Sequence, residues 1–251
     1  MEVHHHSHPP QSAHHAKKIW HYFWEFLMLF LAVSCGFFAE YQLEHKVEKN
    51  RERQYIKSLL EDLKADSAML VLRTYGVTHT RINRADSLWR WMNAPDRAAR
   101  ANKIYFETAE AFRHGKYKFH DRTIVQLKNA GGMRLITNEQ VVDTIYAYYK
   151  EVGSIEGFDD AIHDYIEKLI DITAELFSAG DWARANTISS FDSLKNDQLH
   201  FRSEDPVLIN KYSVYMFMYR SRENGLRNTA LQLKDRSLKM IEFIKKEYHL
   251  N

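Results

Sequence analysis

Cysteine is nearly absent from this chain, and its one copy, Cys35, falls in an apolar segment near the N-terminus. Disulfides and cysteine-based metal sites are thereby excluded from the remainder of the chain. An excess of one charge is also missing: 35 Lys and Arg stand against 33 Asp and Glu. Beyond Glu44 the balance is 33 against 29, with the signs well mixed. A dedicated nucleic-acid surface needs a basic face, so no nucleic-acid partner is expected. No P-loop, Rossmann glycine pattern, His-Glu-x-x-His or Gly-x-Ser-x-Gly occurs. Strand alternation and internal repeats are missing too.

Long hydrophobic runs are scarce, and the single exception bears on the setting of the whole chain. Residues 26–39 are almost wholly apolar, a helical length of about 21 Å against a hydrocarbon core of about 30 Å. Starting at Ile19 gives about 31 Å but places Glu25 inside. Phe26, Leu27, Leu29, Phe30, Leu31, Val33, Phe37 and Phe38 each contribute about −0.3 to −0.6 kcal/mol to insertion, while one mid-helix carboxylate costs about 3 kcal/mol. The sums nearly cancel, so position decides. Glu25 lies about 9 Å inside Ile19, within reach of the headgroups. Trp20, Tyr22 and Trp24 form the expected interfacial belt. A cleaved signal peptide would suit Lys17-Lys18, but Ala39-Glu40-Tyr41 runs straight into helix-forming sequence. A buried core helix would show a polar face. The expectation is an uncleaved transmembrane helix over residues 19–40, with the lipid bilayer as its partner.

On a helical wheel His21, Glu25, Ala32, Gly36 and Ala39 fall within about 40° of one line. Small residues let helix backbones approach in lipid, and His21 and Glu25 are one turn apart. The stripe is expected to be a transmembrane interface, to a second copy or to another membrane protein; the alternative is an interfacial Glu25 and chance small residues. Orientation is left open by charge. Lys46, Lys49, Arg51, Arg53 and Lys57 come after the helix and favour a cytoplasmic C-terminal side, whereas a short basic tail ahead of a first span usually stays inside.

Around the anchor the expected organisation is a disordered His-rich tail (1–18), a polar helical stalk (41–54) and a helical bundle (55–251). The tail clusters His4, His5, His6, His8, His14 and His15, read as solvated rather than metal-collecting. Residues 44–54 are charged all round, as in a solvent-crossing helix. Apolar spacing begins at Tyr55-Ile56 and continues through Leu59-Leu60, Leu63 and Leu70, with one polar gap at Asp66-Ser67. Further helices are expected over 81–92, 104–112 and 122–129, the last ended by Gly131-Gly132. Thr137 with Gln140 reads as a capping box. Val141, Val142, Ile145, Tyr148 and Tyr149 mark the apolar side of that helix. A long amphipathic helix over 155–177, closed by Gly180, and helices over 207–219 and 226–248 complete an all-α fold. Residues 182–204 read as a loop. Roughly 200 residues can bury one sizeable core.

Several segments resemble a known family. Glu25-Phe26-Leu27 opens the apolar segment. The stalk leads to Tyr55-Ile56-Lys57-Ser58-Leu59-Leu60-Glu61-Asp62-Leu63-Lys64-Ala65-Asp66. Later come Thr123-Ile124-Val125-Gln126-Leu127-Lys128-Asn129-Ala130-Gly131-Gly132-Met133-Arg134-Leu135-Ile136-Thr137-Asn138 and Ile145-Tyr146-Ala147-Tyr148-Tyr149. They resemble an uncharacterised family of bacterial proteins with one N-terminal membrane helix and a helical domain. The resemblance implies an inner-membrane protein whose C-terminal domain is exported to the periplasm, and implies no activity. Members carry a more basic N-terminus; here histidines stand where other charges would be.

Two clusters invite chemistry. His114, Lys116-Tyr117-Lys118 and His120-Asp121-Arg122 read either as a catalytic or anion-binding loop or, by default, as a solvated connection between helices. Asp160, His163 and Asp164, with Asp159, place carboxylates and an imidazole at helical spacing for a metal. A bundle metal site needs such a motif from facing helices, and Asp-x-x-His occurs once. An exposed polar face is therefore expected, with no metal, cofactor or catalytic residue assigned. Arg81, Arg84, Arg90, Arg97 and Arg100 surround Trp89 and Trp91, whose rings are expected in the core. The leading expectation is a non-enzymatic, single-span protein binding a partner or ligand at the bacterial inner membrane. One alternative is a sensory component working with a membrane-spanning signalling partner. Another is a metal-dependent hydrolase.

Overall fold

The computed structural model describes residues 13–129 and 131–250, with side chains from Trp20 onward. The histidines up to His8 therefore lie outside the described residues. Every regular element among the described residues is helical, and the only strand-like feature is an isolated antiparallel bridge between Phe177 and Phe201. The chain divides into two units, Met1–Gln54 and Tyr55–Asn251.

Helix α1 runs Ala13–Leu72 and starts ahead of Ile19. In the first unit its apolar side chains stand in the open: Phe26, Leu29, Phe30, Phe37 and Phe38 are each more than half exposed. The stretch is long and apolar enough to cross a membrane, and none of it is buried within the protein.

In the second unit the apolar stripe of α1 does what its period predicts: Ile56, Leu59, Leu60, Leu63 and Leu70 are buried. The helix does not stop at Leu72. It passes through a π-helical segment, Arg73–Thr78, into α2, His79–Met92. A π turn inserts extra backbone and rotates the face beyond it, a distortion often found where a helix meets a special contact. Helix α3 is Ala101–Phe112, α4 Arg122–Asn129, α5 Glu139–Leu176, α6 Ala179–Thr187 and α7 Pro206–Glu247.

Three long rods make the bundle of the second unit: α1 from Tyr55 onward with α2, α5 and α7. Ser67 bonds Ser237 at 2.6 Å, Arg220 meets Asp86 at 2.5 Å, and Asn93 donates to Ser213 at 3.0 Å. The partner number falls as the first rises, so α7 runs antiparallel to α1 and α2. Asn138 to Glu247 at 2.9 Å and Arg236 to Glu151 at 2.8 Å show the same for α5 and α7.

Several sequence expectations need correction. The segments around 141–149 and 155–177 are one helix, α5, which passes Gly153 and Gly157 without a break. Segments 207–219 and 226–248 are likewise one helix, α7. Tertiary packing overrides the propensity of single glycines. Gly225 has its own reason: a Cβ there would stand 2.5 Å from Cε1 of Phe158, so its absence lets α5 and α7 approach. The cap of α5 is Asn138, not Thr137; its side chain accepts from the backbone N–H of Gln140 at 3.0 Å and Val141 at 3.3 Å. Gly180 lies inside α6 rather than closing α5, and α5 ends because Phe177 turns extended. The expected loop over 182–204 contains most of α6 and a 3₁₀ turn, Phe191–Leu194. Gly131 fits the break after α4, with a left-handed φ of 64° that glycine adopts freely.

Beside the rods, α3 and α6 enclose an aromatic cluster. Tyr105 stacks on Phe177 at 4.3 Å and lies near Phe201 at 5.8 Å. Its hydroxyl donates to the His200 carbonyl at 2.7 Å and accepts from the Ser178 N–H at 2.7 Å. Burial pushes this phenol up to about 12.

Candidate functional site

The core stripes of all three rods carry charges at positions where apolar residues would be expected. Within the bundle these include Asp62 and Asp66 in α1, Arg81 in α2, Asp159 in α5 and Glu223 in α7, all of them buried. Buried charges are stable only when paired or hydrogen-bonded. Most of this pairing is supplied by one segment, residues 113–121, which has no regular structure and joins α3 to α4.

This strap is held at both ends. At its far end Asp66 accepts three bonds: from the His120 backbone N–H at 2.9 Å, His120 Nδ1 at 2.8 Å and the Tyr148 hydroxyl at 3.0 Å. Burial and the Asp66 carboxylate together push the Tyr148 phenol far up. Asp62 accepts the Thr123 N–H at 3.2 Å, satisfying one of the open donors at the start of α4. At the near end Asp159 accepts the Tyr117 N–H at 2.8 Å and His114 Nε2 at 3.1 Å. The other ring nitrogen, Nδ1, faces Glu223 Oε1 at 3.5 Å, and Arg81 Nη1 approaches the same oxygen at 3.7 Å. The His114 side chain is 3 % exposed and that of Glu223 0 %.

Mid-strap contacts lead to the π-helical segment. The Arg73 guanidinium lies over the Tyr117 ring, 4.7 Å from its centroid, and donates to the Gly115 carbonyl. The Thr78 and Tyr117 hydroxyls are 3.1 Å apart. Among the described residues, the one place where the first rod departs from α-geometry is thus one of the two places where the strap meets it, the other being Asp66.

The strap thus corrects the reading of residues 113–121 as a solvated connection. Lys116 and Lys118 do face water, but His114 and Tyr117 are buried and bonded. Asp160, His163 and Asp164 are not brought together with any facing helix. Asp160 pairs with Lys116 at 2.5 Å, His163 lies 3.6 Å from Glu167, and Asp164 points to solvent. The Lys116 ammonium hydrogen-bonds to the Asp160 carboxyl and holds it below its usual range. The arginines around α2 are largely committed: Arg84 to Glu107 at 2.5 Å, Arg97 to Glu204 at 3.9 Å and Arg100 to Asp96 at 2.6 Å. Trp91 packs partly on the core as expected, while Trp89 is 44 % exposed and does not. In the apolar part of α1, His21 Nε2 stands 3.2 Å from Glu25 Oε1, and Ala32, Gly36 and Ala39 are exposed; among the described residues a Cβ at Gly36 would meet nothing within 4 Å outside its own helix backbone.

Sequence reasoning passed over Glu223, gave Asp62 no role, and placed Asp159 on an exposed polar face and Arg81 in a basic stretch, whereas all four are buried. The signal was present: each is in register with core positions, Asp159 between Ile155 and Ile162, Glu223 between Tyr219 and Leu226. The polar gap at Asp66-Ser67 was the same signal in α1.

Chemically the cluster is enclosed. Asp66 and Asp159 are hydrogen-bonded to the strap, whereas Glu223, Arg81 Nη1 and His114 Nδ1 lie within ion-pair distance of one another without a hydrogen bond of normal geometry. Comparison of the chain with protein-family models, curated proteins and solved structures returns no match.

Proposed function

We propose that this chain is a single-pass, membrane-tethered helical module that binds a partner beside the bilayer, and is not an enzyme. The observation that carries the reading is the apolar part of α1 from Trp20 to Ala39, whose apolar side chains are nearly all exposed, with none buried in the protein. A core helix of a soluble protein hides its apolar face; this one needs an apolar medium. The bundle's titratable cluster is enclosed and holds the strap, which supports a binding role over a catalytic one. The resemblance to the bacterial single-span family supports an inner-membrane setting with the bundle exported. His21, Glu25, Ala32, Gly36 and Ala39 would form the face that meets a second copy or another membrane helix, since a carboxylate in lipid is tolerated when it faces a partner.

Oligomeric state tests this. Full-length protein, Gly36→Leu and Glu25→Leu would be compared by crosslinking in membranes and by native gels in mild detergent. The reading predicts an oligomer in the parent and loss of it in the variants. Unchanged oligomeric state in both variants would remove the stripe as an interface.

A sensory role is the second reading. The strap favours it, being a segment tied to all three rods through ionisable groups.

A further inference from the structure

We propose that His114 is a proton-operated latch: as an imidazolium it bridges Asp159 and Glu223 and holds the strap on the bundle, and loss of its proton frees the strap. This goes beyond the membrane-tether reading and does not depend on it.

Both ring nitrogens of His114 face carboxylate oxygens, Nε2 toward Asp159 at 3.1 Å and Nδ1 toward Glu223 at 3.5 Å. A neutral imidazole has one N–H and one lone pair. It would turn that lone pair on one of the two anions. Only the imidazolium offers a donor to both.

The charges that face the site come from every rod. Helix α5 brings Asp159 and α7 brings Glu223, with the buried Tyr219 hydroxyl one turn before it. Helix α2 brings Arg81, and the next turn carries Arg84, which pairs with Glu107. The π-helical segment brings Arg73 to Tyr117. Lys116 and Asp160 pair outside, in solvent. With His114 protonated, two cations, His114 and Arg81, balance two anions, Asp159 and Glu223. With His114 neutral, a net negative charge remains in a site shielded from water, which is strongly unfavourable. Glu223 is the sensitive partner, because neither of its carboxylate oxygens has a hydrogen bond of normal geometry.

Burial alone would lower the proton affinity of His114, but the hydrogen bond to Asp159 and the nearby Glu223 carboxylate outweigh it and raise the imidazole above its ordinary 6.5. A group raised on folding stabilises the fold while it stays protonated. The latch is therefore fully closed below 6.5 and opens as pH rises through the raised value, so alkalinisation frees the strap. Opening takes Tyr117 and Gly115 away from Thr78 and Arg73, and so removes the strap's hold on the π-helical segment.

The test is hydrogen exchange by mass spectrometry on the full-length chain in detergent micelles, from pH 6 to 9, with rates corrected for intrinsic base catalysis. The expected result is at least a tenfold rise in corrected exchange for residues 113–121 across this range, while the core of α7 around Leu233 keeps its protection. In Glu223→Gln the rise should come at lower pH. A strap equally protected throughout, a strap lost only together with α7, or an unchanged midpoint in Glu223→Gln would overturn the proposal. An NMR titration of the His114 ring in the parent protein gives the answer without a variant: a midpoint above 6.5 supports the latch and one at or below 6.5 overturns it.

Discussion

Asp159 and Asp160 are consecutive residues with opposite surroundings. Asp159 is 1 % exposed and accepts the Tyr117 N–H and His114 Nε2, whereas Asp160 is 69 % exposed on its side chain and pairs with Lys116 in solvent. A helix turns about 100° per residue, enough to take one carboxylate inside and leave its neighbour in water. Asp159→Asn leaves a buried donor without its anion, so it should destabilise the bundle by about 2–4 kcal/mol. Asp160→Asn removes a solvent-screened pair and should leave the unfolding midpoint where it was. Denaturant unfolding of the full-length chain, followed by tryptophan fluorescence, separates the two.

Gly225 sets two effects against each other. Alanine in mid-helix gains about 1 kcal/mol over glycine. Here its Cβ would stand 2.5 Å from the Phe158 ring, and the ring must move. Overpacking of this kind costs about 1–3 kcal/mol, so Gly225→Ala should be net destabilising by about 1 kcal/mol. In a Phe158→Leu background the same change should become neutral or stabilising. Thermal unfolding of the four proteins of this cycle reads the coupling directly.

Asp66 should matter far more than the histidine it holds. His120 has 52 % of its side chain exposed and can turn to water, but Tyr148 is fully buried, and among the described residues its hydroxyl bonds to Asp66 alone. Asp66→Ala should cost about 3 kcal/mol or more, and His120→Ala about 1 kcal/mol. Adding Tyr148→Phe to Asp66→Ala should recover part of the loss, since the orphaned hydroxyl is then gone. Chemical denaturation of the three variants checks this, and equal effects of the two single changes would contradict this picture of the strap's far end.

Tyr105→Phe removes one hydroxyl that makes two backbone bonds, to His200 and from Ser178. The ring and its stacking on Phe177 stay. The expected loss is about 1–2 kcal/mol, with faster hydrogen exchange at residues 177–203 and little change in α7.

The class of the fold was readable because helical period dominates: the stripe Ile56, Leu59, Leu60 and Leu63 is buried as spaced. Helix 122–129 was readable because its glycine stop is real, with Gly131 in the left-handed region. Helix ends inside α5 and α7 were misread because Gly153, Gly157 and Gly225 look like punctuation locally and are overruled by packing. The strap was hardest. Its lysines and arginine make it look like surface, and the carboxylates that hold it are far away in sequence: Asp159 and Glu223 face His114, Asp159 also accepts from Tyr117, and Asp66 accepts from His120. Periodicity shows where a charge sits on a core stripe, as the Asp66-Ser67 gap did; it does not show which segment comes to meet it.

Everything proposed about setting rests on residues 19–40 staying in a bilayer. The most direct measurement is alkaline carbonate extraction of membranes from cells making the full-length chain, with intact-mass analysis of the recovered protein. The account predicts that the chain stays in the membrane pellet with residues 1–39 still attached. Recovery in the soluble fraction without detergent, or a mature chain lacking those residues, would contradict it.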